Sequence, residues 1–133
     1  MYLRFDKFCK MKGLLLVFLG GGLGSALRYW IGTWLNSSGQ PLPWGTFVVN
    51  VLGSFLIGLV LGFAAKNENL STNTILLMAT GFCGGFTTFS ALASENLHLL
   101  KTGAYGPFLG YSLGSLLIGI IAVWLGLLLS KGL

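Results

Sequence analysis

Apolar residues fall into four long runs, Gly13–Leu35, Trp44–Ala65, Thr74–Leu100 and Tyr105–Leu129, separated by short polar connections. Each run meets or exceeds the ~20 residues that a helix needs to cross ~30 Å of hydrocarbon. The connections carry Gly39, Pro41 and Pro43 within 36–43, a polar stretch over 66–73, and a minimal link over 101–104. Trp30, Trp34, Trp44, Tyr105 and Trp124 lie near the ends of the runs, where aromatic belts form at membrane interfaces. The pattern predicts an all-α integral membrane protein of four transmembrane helices. A basic tail over 1–12 precedes a single four-helix transmembrane unit over 13–133. A secretory signal peptide opens in a similar way, but its apolar core is shorter than 13–35, and no small-residue cleavage site follows.

The third run contains Gly81-Phe82-Cys83-Gly84-Gly85-Phe86-Thr87-Thr88-Phe89-Ser90. Each glycine weakens a helix by roughly 1 kcal/mol relative to alanine. Threonine hydroxyls can bond backbone carbonyls and bend a helix. Inside a bilayer, irregular backbone survives only where protein or a water-filled cavity satisfies its polar groups. This stretch therefore predicts a third helix broken at mid-membrane, the kind of place where transported ions bind. A glycine-rich packing face is the structural alternative.

Composition agrees with the pattern. Of 133 residues, 54% are hydrophobic and 8% charged, against about 25% charged in a soluble domain. Mean hydropathy is +0.82. The net charge of +5 is not gathered into a basic patch on polar surface, so it carries topology rather than a nucleic-acid interface. Cys9 and Cys83 lie in the tail and in a membrane run, with no C-x-x-C, and indicate neither a disulfide nor a metal site.

Several polar residues sit inside the apolar runs. In the first, Gly20 and Gly24 form a small-xxx-small pair that lets another backbone approach. Arg28 costs at least ~2.5 kcal/mol at mid-bilayer, so it serves either an anion-attracting vestibule or an anchor near the interface. In the second run, Asn50, Ser54, Gly58 and Gly62 share one helix face. Asn50 reads either as interhelical glue or as an amide donor for an anion. In the fourth, Tyr111 and Ser115 share a face and fit either a polar path or structural hydrogen bonding. Gly106, Gly110 and Gly114 form a second stripe, expected to be a packing seam.

These groups exclude most chemistry. His98 and Glu95 are the sole histidine and the sole acid within the runs, and no nucleophile–base–acid set can be assembled. A phosphate-binding loop is absent. What remains is a row of neutral donors: Asn50, Thr87, Thr88, Ser90, Tyr111 and Ser115. Neutral donors without a fixed lysine suit an anion that must bind and then leave. Phenylalanine ring edges, being partially positive, can add to such a path.

Three motifs, Gly21-Gly22-Leu23-Gly24-Ser25-Ala26-Leu27-Arg28-Tyr29, Gly45-Thr46-Phe47-Val48-Val49-Asn50-Val51-Leu52-Gly53-Ser54-Phe55 and the Gly81–Ser90 stretch, closely resemble the CrcB/Fluc fluoride channels over nearly the whole chain. The resemblance implies small four-helix subunits that pair antiparallel, enclose two pores and export fluoride passively. It implies pore-lining roles for Asn50, Phe89, Tyr111 and Ser115, with Thr88 and Ser90 beside them. It also implies a structural Na⁺ held by the Gly84 and Thr87 backbone carbonyls, a donor type that suits a hard cation.

The chain departs from the family pattern after Ser90. Ala91-Leu92 stands where Thr-Phe is common, so a second pore phenylalanine is missing. Gly119 stands one turn beyond Ser115, where a further hydroxyl would extend the polar track. Arg4, Lys7, Lys10, Lys12, Lys66 and Lys131 fall on one side of a four-helix topology and Lys101, or Lys101 with Arg28 near the end of the first run, on the other. This bias predicts both termini in the cytoplasm and one fixed orientation. The expected partner is therefore an oppositely oriented relative, with a dual-topology homodimer as the alternative. Two rival functions remain: a small multidrug exporter, which needs a membrane carboxylate that the first run lacks, and a non-transporting assembly protein.

Overall fold

A computed structural model describes residues 2–36, 42–66 and 70–132, with the side chains of 2–9 outside the description. Gly39 and Pro41, the 67–69 part of the polar connection, and the side chains of Arg4, Lys7 and Cys9 therefore lie outside the described residues. Among those described, there is no strand.

Helix α1 (Tyr2–Leu35) and helix α2 (Trp44–Lys66) form the first two spans. The third comprises α3 (Thr72–Ile75), a π-helical stretch (Leu76–Cys83), α4 (Gly84–Phe86) and α5 (Phe89–Lys101). Helix α6 (Tyr105–Gly132) is the fourth. All four are long and apolar enough to cross a membrane. Helix α1 begins at Tyr2, so the basic tail continues the first span as helix.

Local sequence explains the joints. Asn36 at the end of α1 accepts a hydrogen bond from the Gly45 N–H at 2.8 Å, tying the first span to the start of the second. Ser71 caps α3 by accepting from Thr74 N–H. Between α5 and α6 the Ala104 N–H reaches back to the Leu99 carbonyl at 2.9 Å. That closure needs a left-handed residue, and Gly103 supplies it at φ 75°.

The spans pack as two parallel pairs, and glycines set both contacts. Gly20 and Gly24 of α1 lie directly against the backbone of Leu77, Phe82 and Phe86. Gly85 in turn lies on the Gly21 carbonyl. Helices α2 and α6 meet where Gly58 touches the Val123 carbonyl, Gly126 the Phe55 carbonyl, and Gly62 the Ser130 side chain. Such approaches let backbones pack where lipid provides no hydrophobic drive between helices. Outward-facing Leu14, Phe18, Leu23, Leu116 and Ile120 present an apolar surface.

Two expectations change. The glycines of Gly81–Gly85 stay helical, Gly81 in the π-helical stretch and Gly84 and Gly85 in α4, and Gly81 and Gly85 make close backbone contacts with α1. The backbone leaves helical geometry only at Thr87 (φ −77°, ψ 155°) and Thr88 (φ −148°, ψ 114°). The stripe of Gly106, Gly110 and Gly114 forms no seam within the chain, because α6 packs on α2 through another face and leaves these glycines open.

Candidate functional site

The two extended threonines reorganise the local hydrogen bonds. In an unbroken α-helix, Thr88 N–H would reach the Gly84 carbonyl and Ala91 N–H the Thr87 carbonyl. Here Thr88 N–H donates to Asn50 Oδ1 at 2.7 Å, and Asn50 Nδ2 donates to the Thr88 carbonyl at 3.1 Å. Ala91 N–H donates to Thr88 Oγ1 at 3.2 Å, so Thr88 caps α5. The helical donors for the Gly84 and Thr87 carbonyls are thus both taken by other acceptors. Gly53 of α2 makes room for this turn, since a Cβ there would meet the Thr87 methyl.

Helix α1 secures the other side of the turn. Arg28 Nε and Ser25 Oγ donate to the Gly85 carbonyl at 3.1 and 3.2 Å. Arg28 thus turns inward onto the backbone of the third span.

An open groove of about 760 Å³ runs between the second, third and fourth spans. Asn50, Gly84, Thr87, Thr88, Phe89 and Ser115 all line it. Its walls are mostly apolar, with neutral hydrogen-bonding groups set among them. The Ser115 hydroxyl is buried and has no hydrogen-bond partner, which is costly for a polar atom unless something else engages it. Phe89 is 81% exposed, so in the single chain its ring stands on the outer edge of the groove. Ser90 is not among the lining groups; its hydroxyl pairs with Thr88 Oγ1 at 3.2 Å.

Tyr111 is also absent from the lining. It is 5% exposed, and its hydroxyl donates to Glu95 Oε2 at 2.7 Å. Thr46 Oγ1 donates to Glu95 Oε1 at 2.6 Å. The carboxylate thus receives one neutral donor on each oxygen. Ser112 and Asn96 line the groove, joined by a 2.8 Å bond from Ser112 Oγ to Asn96 Oδ1. Sequence reasoning missed Thr46, Glu95, Asn96 and Ser112 as a polar cluster. Glu95 carried a signal, because an acid in a membrane run marks a partner or a pathway. Phe82 and Phe86 stack on each other at 5.6 Å, with Phe86 buried, away from the groove edge where Phe89 stands.

Comparison with known proteins gives a consistent answer. The family profile described as "CrcB-like protein, Camphor Resistance (CrcB)" matches residues 15–127. A protein of Phocaeicola vulgatus named "Fluoride-specific ion channel FluC" is 45% identical over 122 residues, covering 91% of this chain and 100% of the relative. Proteins of the same name from Bacteroides fragilis and Thermus thermophilus are 47% and 50% identical, over 87% and 84% of this chain and 94% and 88% of theirs. With four apolar spans and a family match over most of its length, this multi-pass membrane protein belongs to the CrcB family.

Proposed function

We propose that this protein is a fluoride-selective channel, not an enzyme, that lets fluoride leave a bacterial cytoplasm passively and so lowers its toxicity. The relatives' shared name supports the substrate. The carrying observation is the groove itself: it combines neutral donors with a buried, partnerless hydroxyl at Ser115. A small, strongly hydrated anion needs donors that replace its water, but a fixed cation would hold it. Asn50 has a second amide hydrogen beyond the one given to Thr88 and can serve as such a donor. Thr88 contributes chiefly as a cap and Ser90 as its partner. Tyr111 acts through Glu95, behind the groove.

The proposed subunit is the 13–133 unit with the basic 1–12 segment on its cytoplasmic side, where both termini lie. It works as an antiparallel dimer with two pores. The open groove and the exposed Phe89 support a partner that closes the path. The charge bias favours an oppositely oriented relative over a second copy, and that relative can supply the ring missing at Leu92. A structural Na⁺ fits the chain, because the Gly84 and Thr87 carbonyls have lost their helical donors and a hard cation takes such oxygens. The Gly84 and Thr87 carbonyls would hold such an ion, which would offset their dipoles as a structural rather than a transported cation.

The test is fluoride efflux from proteoliposomes in Na⁺ buffer, read with a fluoride electrode, with and without a co-expressed relative. Selective efflux is expected. Its absence in both preparations overturns the channel reading in favour of an exporter or an assembly protein. Reporter fusions at the C-terminus are expected to report one cytoplasmic orientation; equal populations in both orientations would favour the homodimer.

A further inference from the structure

We infer that Ser54, on α2, is an anion-contacting hydroxyl of the conduction path and fills the place left vacant by Gly119 on α6. The inference rests on the channel reading and adds a residue to it. Helices α2 and α6 run in the same direction, so Asn50 and Ser54 climb one wall of the groove while Ser115 and Gly119 climb the facing one. A Cβ placed at position 119 would lie 3.6 Å from Ser54 Oγ, with no other neighbour within 4 Å. A side-chain hydroxyl at 119 would therefore share its space with the hydroxyl of Ser54. Both residues line the groove.

The hydrogen-bond pattern points the same way. A serine inside a membrane helix usually satisfies its hydroxyl on a carbonyl one turn back. Ser130 does so, donating to the Leu127 carbonyl at 2.7 Å. Ser54 makes no such bond among the described residues, and neither does Ser115. Since Gly119 stands beside Ser54, Ser115 stands level with Asn50, so the uncommitted hydroxyl of Ser54, one turn further on, gives an anion its next donor after the Asn50 amide and the Ser115 hydroxyl. The spacing of one helical turn, about 5.4 Å, suits a small ion that passes from one set to the next.

The experiment measures fluoride efflux from proteoliposomes for the unchanged protein, Ser54→Ala, and Ser54→Ala combined with Gly119→Ser, with assembly followed by gel filtration. Ser54→Ala is expected to slow efflux about tenfold, the rate equivalent of one neutral hydrogen bond at the barrier. Adding Gly119→Ser is expected to restore most of it. Should Ser54→Ala not assemble, Ser54→Thr and Ser54→Val replace it: they match in shape, share any packing cost, and differ in the hydroxyl. Threonine is expected to conduct about tenfold faster than valine. Unchanged efflux in Ser54→Ala, failure of rescue in an assembled double variant, or equal rates for threonine and valine would overturn the inference while leaving the channel reading intact. Absence of efflux from the unchanged protein would overturn both.

Discussion

Asn50 and Thr88 exchange two hydrogen bonds across the space between α2 and the third span: the amide oxygen takes the Thr88 N–H at 2.7 Å, and the amide nitrogen donates to the Thr88 carbonyl at 3.1 Å. A side chain thereby does for one residue what a helix ladder does for the rest. In hydrocarbon an unsatisfied backbone group costs several kcal/mol, so the extended turn exists because Asn50 serves it. The asparagine is both glue and candidate donor, since only one of its amide hydrogens is used.

Stability and conduction should separate at this residue. Asn50→Ser is too short to reach both backbone groups and should lower stability by about 2 kcal/mol, the cost of leaving buried groups unpaired. Asn50→Asp can still accept from Thr88 N–H but sets a second acceptor oxygen against the Thr88 carbonyl, so it should be destabilised as well, and it puts negative charge in the groove. Its fluoride efflux is expected to be about tenfold lower than that of Asn50→Ser. Thermal melts in detergent and electrode traces test the pair. Efflux through Asn50→Asp that matches or exceeds Asn50→Ser would restrict Asn50 to its structural role.

Tyr111→Phe removes the hydroxyl that holds Glu95 Oε2 and nothing else. A half-buried carboxylate then keeps the Thr46 donor alone. The expected loss is about 1.5–3 kcal/mol, the range for hydrogen bonds to charged groups. Combining it with Thr46→Val should give non-additive losses, because both donors serve one carboxylate. Strict additivity in the melts would mean that the two bonds act independently.

Two glycines of α1 should respond in opposite ways to alanine. A Cβ at Gly24 meets the Phe82 carbonyl, whereas Gly22 meets nothing within 4 Å. Gly24→Ala should separate α1 from the third span and abolish folded protein in gel filtration. Gly22→Ala should fold and gain up to about 1 kcal/mol from helix propensity. A well-folded Gly24→Ala would contradict the close backbone packing described for the first pair.

Sodium removal gives a test independent of mutation. If the Gly84 and Thr87 carbonyls hold the cation, exchange of Na⁺ for a bulky organic cation should weaken the dimer and reduce efflux together. Gly84→Ala sharpens the test: the nearest atom to a Cβ there is the Ala79 carbonyl at 4.0 Å, so a single chain tolerates it. Loss of assembly in this variant would place the residue at the subunit contact. Unchanged assembly and efflux after prolonged Na⁺ depletion would argue against a bound ion.

The sequence by itself determined the number of spans and most of their ends, because hydrocarbon thickness and the demand for internally bonded backbone leave a chain this apolar few alternatives. Helix α2 starts at Trp44 and α6 at Tyr105, where the apolar pattern begins. The family was also legible, since its motifs are contiguous. Only the tertiary structure decided which glycines touch backbone and which stay open, since Gly20 and Gly110 look alike until neighbours are in place. It also decided the place where helical geometry ends. Propensity marked the glycines, but long-range bonds from Asn50 fix the turn at Thr87 and Thr88, and Arg28 and Ser25 fix the carbonyl before it. Glu95, Thr46 and Tyr111 come from three different spans, and no local pattern records that they share one set of hydrogen bonds.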